Sequence, residues 1–274
     1  MTGGGQQQGP DWEAVLTAAA NRDDADLDVG GVALALAQAD HPDQDPAPYV
    51  AHLAEIAAPF TDDTPSAMWL RRRLVDGLGY RGDSENYDDM RNADLMSVID
   101  RRRGLPVALG LLYMHAARAR GWQIHGLNFP GHFLLRLQLS EGVQVIDPFH
   151  DGRTLDVKAM KALLNQVAGR EVPLQPTHMA AVPARQVLMR LQNNIRIRAE
   201  QAGDVPRASE ILRRVLLFAP QEAMVWRDRA ELEARAGNIR TAQDILDAGL
   251  AVVADGAPAT MLQDCQAGLR RKLN

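Results

Sequence analysis

Two residues in the middle of the chain have the chemistry of a proton-transfer pair. His132 follows Pro130-Gly131, and Asp147 precedes Pro148. An aspartate that accepts from one imidazole nitrogen holds the other outward, favours the charged ring and raises its pKa. Such a pair is a general base able to activate water or a substrate hydroxyl. The plainer alternative is a hydrogen-bonded pair that braces a hairpin. Tyr113, His150 and the triplet Arg101, Arg102 and Arg103 are candidates for lining a cleft beside it. Guanidinium forks suit anions and phosphates; a solvated face that complements a helix C-terminus is the bland reading of the same triplet.

Whether His132 and Asp147 can meet depends on the strands that carry them. Residues 122–129 and 131–139 read as extended, Ser140, Glu141 and Gly142 as a turn, and 143–146 as the return strand. Side chains alternate along a strand, so turn length decides the matter. With Ser140-Glu141 as a two-residue turn, Leu139 faces Gly142 and Asp147 faces Leu134, diagonal to His132 on the same side. A three-residue turn without a bulge would separate them. Ahead of the strands lies a helix. Gly104 breaks the preceding segment and Pro106 suits the first helical position. Residues 107–119 are apolar almost all round, interrupted by Gly110, His115 and Arg118, which predicts a buried helix. Arg118 and Arg120 complement its dipole, and Gly121 provides the left-handed stop.

A buried helix, a strand bearing Gly-His and a strand ending Asp-Pro resemble the core of the transglutaminase and papain-like superfamily. The wider run resembles its SirB-like branch. The matching segments are Tyr87-Asp88-Asp89, Asp100-Arg101-Arg102-Arg103-Gly104-Leu105-Pro106, Leu111-Leu112-Tyr113, Pro130-Gly131-His132-Phe133-Leu134 and Asp147-Pro148-Phe149. The resemblance covers residues 45–180. It implies Cys, His and Asp in that chain order, with the cysteine at the N-terminus of the buried helix, where the dipole favours thiolate. His132 and Asp147 match the second and third positions. Leu105, Pro106 and Val107 stand where the thiol would be, and none is a nucleophile. The resemblance therefore implies the scaffold without its thiol chemistry, and an association with regulation of gene expression.

The 274 residues are 46% apolar and carry a net charge of −5. That charge argues against a nucleic-acid binder. A single cysteine excludes an internal disulfide framework and fits a reducing cytosol. No run approaches the roughly 20 apolar residues of a membrane span, and no signal peptide is visible. Residues 1–10 are Gly- and Gln-rich and read as disordered or tag-like. Asp23, Asp24, Asp26 and Asp28 read as a solvated loop or helix cap, since they lack the glycine and terminal glutamate of a calcium loop. His115, His125 and His150 have no HxH or HExxH spacing, so no metal or cofactor is expected.

Helices are expected over 12–21, 29–39, 49–58, 66–77, 90–102 and 155–167, with a proline-punctuated linker over 171–182 that includes a last edge strand. The last third repeats itself. Ala202-Gly203-Asp204 recurs as Ala236-Gly237-Asn238, and Ala208, Ile211 and Leu212 recur as Ala242, Ile245 and Leu246, always 34 positions on. That is the period of tetratricopeptide helical hairpins. Met224, Trp226 and Cys265 read as core residues of this array. The expected fold is α+β: a helical N-terminal region and transglutaminase-like core with a small antiparallel sheet (11–180), then tetratricopeptide hairpins (184–274). The function expected is a cytoplasmic, non-catalytic scaffold that binds a protein or peptide partner, with no nucleic acid or membrane involved. The alternative is a hydrolase or acyltransferase in which His132 and Asp147 activate water or a bound ligand.

Overall fold

The computed structural model describes residues 11–59 and 64–273. The first ten residues, read above as tag-like, lie outside the described residues. The chain forms two compact units: residues 23–191 make one, and the second joins 13–22 to 192–274.

This division differs from the boundaries expected from sequence, 11–180 and 184–274. Helix α1 (Trp12–Ala20) falls in the C-terminal unit, where Glu13 pairs with Arg213 at 2.7 Å. The proline-rich stretch 171–182 lies within the first unit. Its end forms strand β7 (Ala181–Val182), and the helix that follows, α8 (Ala184–Gln201), begins inside the first unit. The Asp24 carboxylate accepts from the Ala184 and Arg185 N–H groups, satisfying two of the donors a helix start leaves free. Asp28 caps α2 (Val29–Gln38) by accepting from the Gly31 N–H. Half of the acidic run thus serves as caps.

In the first unit, α3 (Ala47–Ala57) is followed by α4 (Ala67–Arg71), capped by Ser66, and by a π-helical turn over Arg72–Gly77. The single helix expected over 90–102 is instead a 3₁₀ turn, Met90–Asn92, and α5 (Leu95–Arg101). Asp94 caps α5 by accepting from the Ser97 N–H. Short strands β1 (Arg81–Gly82) and β2 (Arg103–Gly104) pair in parallel. A buried polar knot holds this region. Arg101 donates to Asp83 at 2.8 Å and to fully buried Asn92 at 3.0 Å, while the Asn92 carbonyl accepts from the Leu105 N–H. Leu105 is the residue before α6 (Pro106–Arg118), so the knot fixes where that helix begins.

Helix α6 is buried along its length, as its all-round apolar sequence requires. Helices α2, α3 and α4 and strand β3 (Ile124–Leu127) pack on it. Glycines permit the closest approaches. A Cβ on Gly110 would drive into the Phe133 ring, and one on Gly30 of α2 would strike the His115 imidazole. His115 is a core histidine whose Nε2 meets the Leu53 carbonyl at 3.0 Å.

The sheet is antiparallel throughout, in the order β6-β5-β4-β3-β7, with β4 (Leu135–Gln138), β5 (Val143–Asp147) and β6 (Arg153–Leu155). Leu135 pairs with Ile146 and Gln138 with Val143, and the Leu139 N–H donates to the Gly142 carbonyl. That is the register of the two-residue turn. Helix α7 (Val157–Ala168) buries Met160 and Leu164 against Leu127, Leu134 and Val145 of the sheet.

In the second unit, α9 (Val205–Phe218), α10 (Ala223–Arg235), α11 (Ile239–Leu250) and α12 (Ala257–Leu273) pack in succession. The backbone repeats at the 34-residue offset seen in the sequence. The Gly203 N–H donates to Glu200 and the Gly237 N–H to Ala234; the Asp204 N–H donates to Ala199 and the Asn238 N–H to Glu233. Ala208 and Ala242 are fully buried at equivalent positions, where a small side chain lets helices approach closely. Trp226 and Cys265 pack against this core as expected, but Met224 is half exposed.

Two glycines test the packing with opposite signs. Gly110→Ala is expected to lower stability by about 1–3 kcal/mol through overpacking against Phe133. Gly268→Ala, in α12 with open space around it, is expected to raise it by up to about 1 kcal/mol through helix propensity. Urea unfolding midpoints of the two variants measure both.

Candidate functional site

The end of β5 and the turn after it gather the charged groups singled out by sequence. Asp147 ends β5 and is 2% exposed. Its Oδ1 accepts from the Phe149 and His150 N–H groups, each at 3.2 Å. Its Oδ2 lies 2.7 Å from His150 Nδ1 and accepts from Arg153 Nη2 at 3.1 Å. Residues 150–153 form a tight turn closed by the Arg153 N–H on the His150 carbonyl. Asp151 and Gly152 both take left-handed φ values, 54° and 65°. This Asp-Gly turn lies within the loop 148–152 that joins β5 to β6. It folds His150 and Arg153 back onto the carboxylate.

The expected His132–Asp147 hydrogen bond is therefore corrected: the imidazole on Asp147 belongs to His150. The reason lies in the hairpin. Strand β4 starts at Leu135, not at Gly131, so His132 sits in the loop before it and outside the strand register. His132 makes no hydrogen bond among the described residues. It remains within the electrostatic field of the group. Burial lowers its pKa, Asp147 opposes that shift, and His150 and Arg153 reinforce it. The ring is accordingly neutral at pH 7, contrary to the raised pKa expected of a dyad.

Tyr113 joins this site from α6. It is 1% exposed, its hydroxyl has no hydrogen-bond partner among the described residues, and a Cβ on Gly152 would collide with that oxygen. Burial first, then the charge of Asp151, pushes the phenol pKa up, so it stays protonated. Asp151 in turn pairs with Arg81 at 2.9 Å.

The arginine triplet is not part of this group. Arg101 is spent on Asp83 and Asn92. Arg102 donates to His52 Nε2 at 2.6 Å, and Arg103 to the Arg102 carbonyl at 3.1 Å. Sequence reasoning missed Arg153, whose signal was the Asp-Gly turn two residues before it.

At the α6 start, Leu105 and Val107 are 1% and 3% exposed and flank Pro106. A buried helix, an antiparallel hairpin and an aspartate at its end thus occur without a thiol at the helix start. A family model described as the transglutaminase-like superfamily matches residues 47–193. The chain belongs to the transglutaminase-like superfamily. The matched stretch ends close to residue 191, where the first compact unit ends.

Similar proteins extend the transglutaminase-like assignment. A UPF0162 protein of Xylella fastidiosa is 30% identical over 231 residues, covering 80% of each chain. A UPF0162 protein of Pseudomonas aeruginosa is 32% identical over 182 residues, covering 65% of this chain and 64% of its own. Human F-box only protein 21 is 30% identical over 148 residues, or 51% of this chain but 22% of that longer protein. Among the described residues, no helix of this transglutaminase-like protein is long and apolar enough to cross a membrane.

Two outcomes are expected at this site. Asp147→Ala strips acceptors from two backbone N–H groups, His150 and Arg153, and should cost about 3 kcal/mol in urea unfolding. Acidification should also destabilise the fold. His52, His125 and His132 all have folded pKa values below the ordinary 6.5, each chiefly through burial. Between the folded and unfolded pKa values the unfolded chain binds more protons, so stability rises with pH and is lost as pH falls below 6.5. His132→Gln should make that slope shallower when unfolding midpoints are compared between pH 7 and lower pH.

Proposed function

We propose that this chain is a SirB-like, non-catalytic interaction scaffold: a transglutaminase-like core without a nucleophile, followed by tetratricopeptide-type hairpins that hold a protein or peptide partner. The observation that carries the reading is the occupancy of the nucleophile's position. Leu105, Pro106 and Val107 begin α6, two of them buried, and none offers a reactive atom. The aspartate supports the same view, because its carboxylate is saturated by a turn and by Arg153 and braces the end of the sheet. The 34-residue repetition of backbone hydrogen bonds supports the hairpin reading. Half-exposed Met224 on α10 supplies an adaptable apolar contact of the kind partner surfaces use. Human F-box only protein 21 matches this chain over 22% of its length, which fits a core used as one module among others.

One feature favours a second reading. His132 is neutral, partly accessible and free of hydrogen bonds among the described residues, so it retains the capacity to take a proton from water or a substrate hydroxyl. In that reading the chain is a hydrolase or acyltransferase.

The two readings part in a direct assay. The purified chain is incubated with a panel of esters and amides beside its His132→Ala variant, and a photo-crosslinker placed at Met224 is irradiated in lysate. The scaffold reading expects equal background rates and one discrete crosslinked partner. Turnover that falls about a hundredfold in His132→Ala, the scale of a lost general base, overturns it.

A further inference from the structure

A groove of about 530 Å³ opens in the first unit, lined by Gln44, Asp45, Tyr49, His52, Asp100 and Arg102. It joins the proline-punctuated segment before α3 to the end of α5. Two adjacent features there run against local preference. Asp100 places a carboxylate in the last turn of α5, where the helix dipole favours a cation. Arg102 takes a left-handed backbone, φ 56°, at the cap position that glycine or asparagine occupies most cheaply. Non-glycine residues persist in that conformation where the surroundings hold them, often at binding sites.

The surroundings do hold Arg102. Its guanidinium lies 4.9 Å from the centre of the Tyr80 ring, and Nη1 donates to His52 Nε2 and the Tyr80 hydroxyl. His52 is kept in the accepting tautomer by Glu55, 2.8 Å from Nδ1, while burial and Arg102 lower its pKa. This latch uses one nitrogen of the guanidinium. Nε and Nη2 make no hydrogen bond among the described residues. Also lining the groove, the Tyr49 hydroxyl donates to Asp100 Oδ2 at 2.9 Å and is itself held by Gln44. Burial and Asp100 push the Tyr49 phenol up to about 12, so it stays a donor. The formal charges lining the groove are then one cation, Arg102, and two carboxylates, Asp45 and Asp100.

We propose that this groove binds a small zwitterion of amino-acid to dipeptide size, with its carboxylate on the free edge of Arg102 and its ammonium group between Asp45 and Asp100. A guanidinium fork matches a carboxylate in two parallel hydrogen bonds. The volume lies within the range of small-molecule sites. The assignment is independent of the interaction role proposed above and of His132.

Calorimetric titration of the full chain with alanine and alanyl-alanine tests it, beside N-acetyl-alanyl-alanine and alanyl-alanine amide. Binding of a free form at or below about 1 mM is expected, with each singly blocked dipeptide at least about tenfold weaker. Arg102→Gln should abolish the preference for the free carboxylate. Asp100→Asn, at an exposed position and still able to accept from Tyr49, should reduce the preference for the free amine even if Arg102→Gln does not fold. Absence of binding by both free forms, or equal binding of free and blocked forms, overturns the proposal.

Discussion

The first unit depends on one helix being enclosed from every side. A helix in that position cannot offer side chains to all its neighbours at ordinary separations, so α6 and its partners make room where a Cβ is missing. Gly110 admits Phe133 from the loop before β4, and Gly30 admits His115 toward α2. Gly152 admits the Tyr113 hydroxyl into the turn that follows β5. Each of these contacts fixes a different element on the same rod. The Arg101–Asp83–Asn92 knot sets the axial position, because Asn92 accepts from the residue immediately before α6. Close packing at native density leaves such a core little slack.

The arrangement around Asp147 follows from that enclosure. A buried carboxylate is tolerable only when its oxygens are occupied, and here the following turn supplies the partners within six residues. This local solution satisfies Asp147 without a hydrogen bond to His132. His132 stands in the loop before β4, and His150, three residues on from the aspartate, holds the carboxylate. Removing the carboxylate would leave Arg153 unpaired and two N–H groups open.

Much of this was legible in the chain. Gly104, Pro106 and the apolar run marked α6 because those residues have few other uses together. Ser140-Glu141 fixed the β4–β5 register because a two-residue turn leaves no freedom of parity. The 34-residue echo was legible because small residues recur where helices touch. What escaped reading was set by three-dimensional competition. The partner of Asp147 depended on the left-handed pair Asp151-Gly152, a hairpin signal that identifies a turn but not which side chain it returns to the carboxylate. The start of β4 depended on Phe133 being drawn toward Gly110 instead of extending the strand. The groove beside Arg102 was invisible because it joins α3 to α5 through side chains some fifty residues apart.

The membership of α1 has a consequence for how the protein comes into being. The C-terminal unit is assembled from residues 13–22 and 192–274, with Glu13 and Arg213 two hundred positions apart. At roughly 5–20 residues per second, α1 leaves the ribosome on the order of ten to forty seconds before the helices it joins. During synthesis its apolar face, with Leu16 and Ala19, is an orphan needing shelter. The first unit can close vectorially as it emerges, whereas α1 must wait for the helices from α9 onward before its own unit can close.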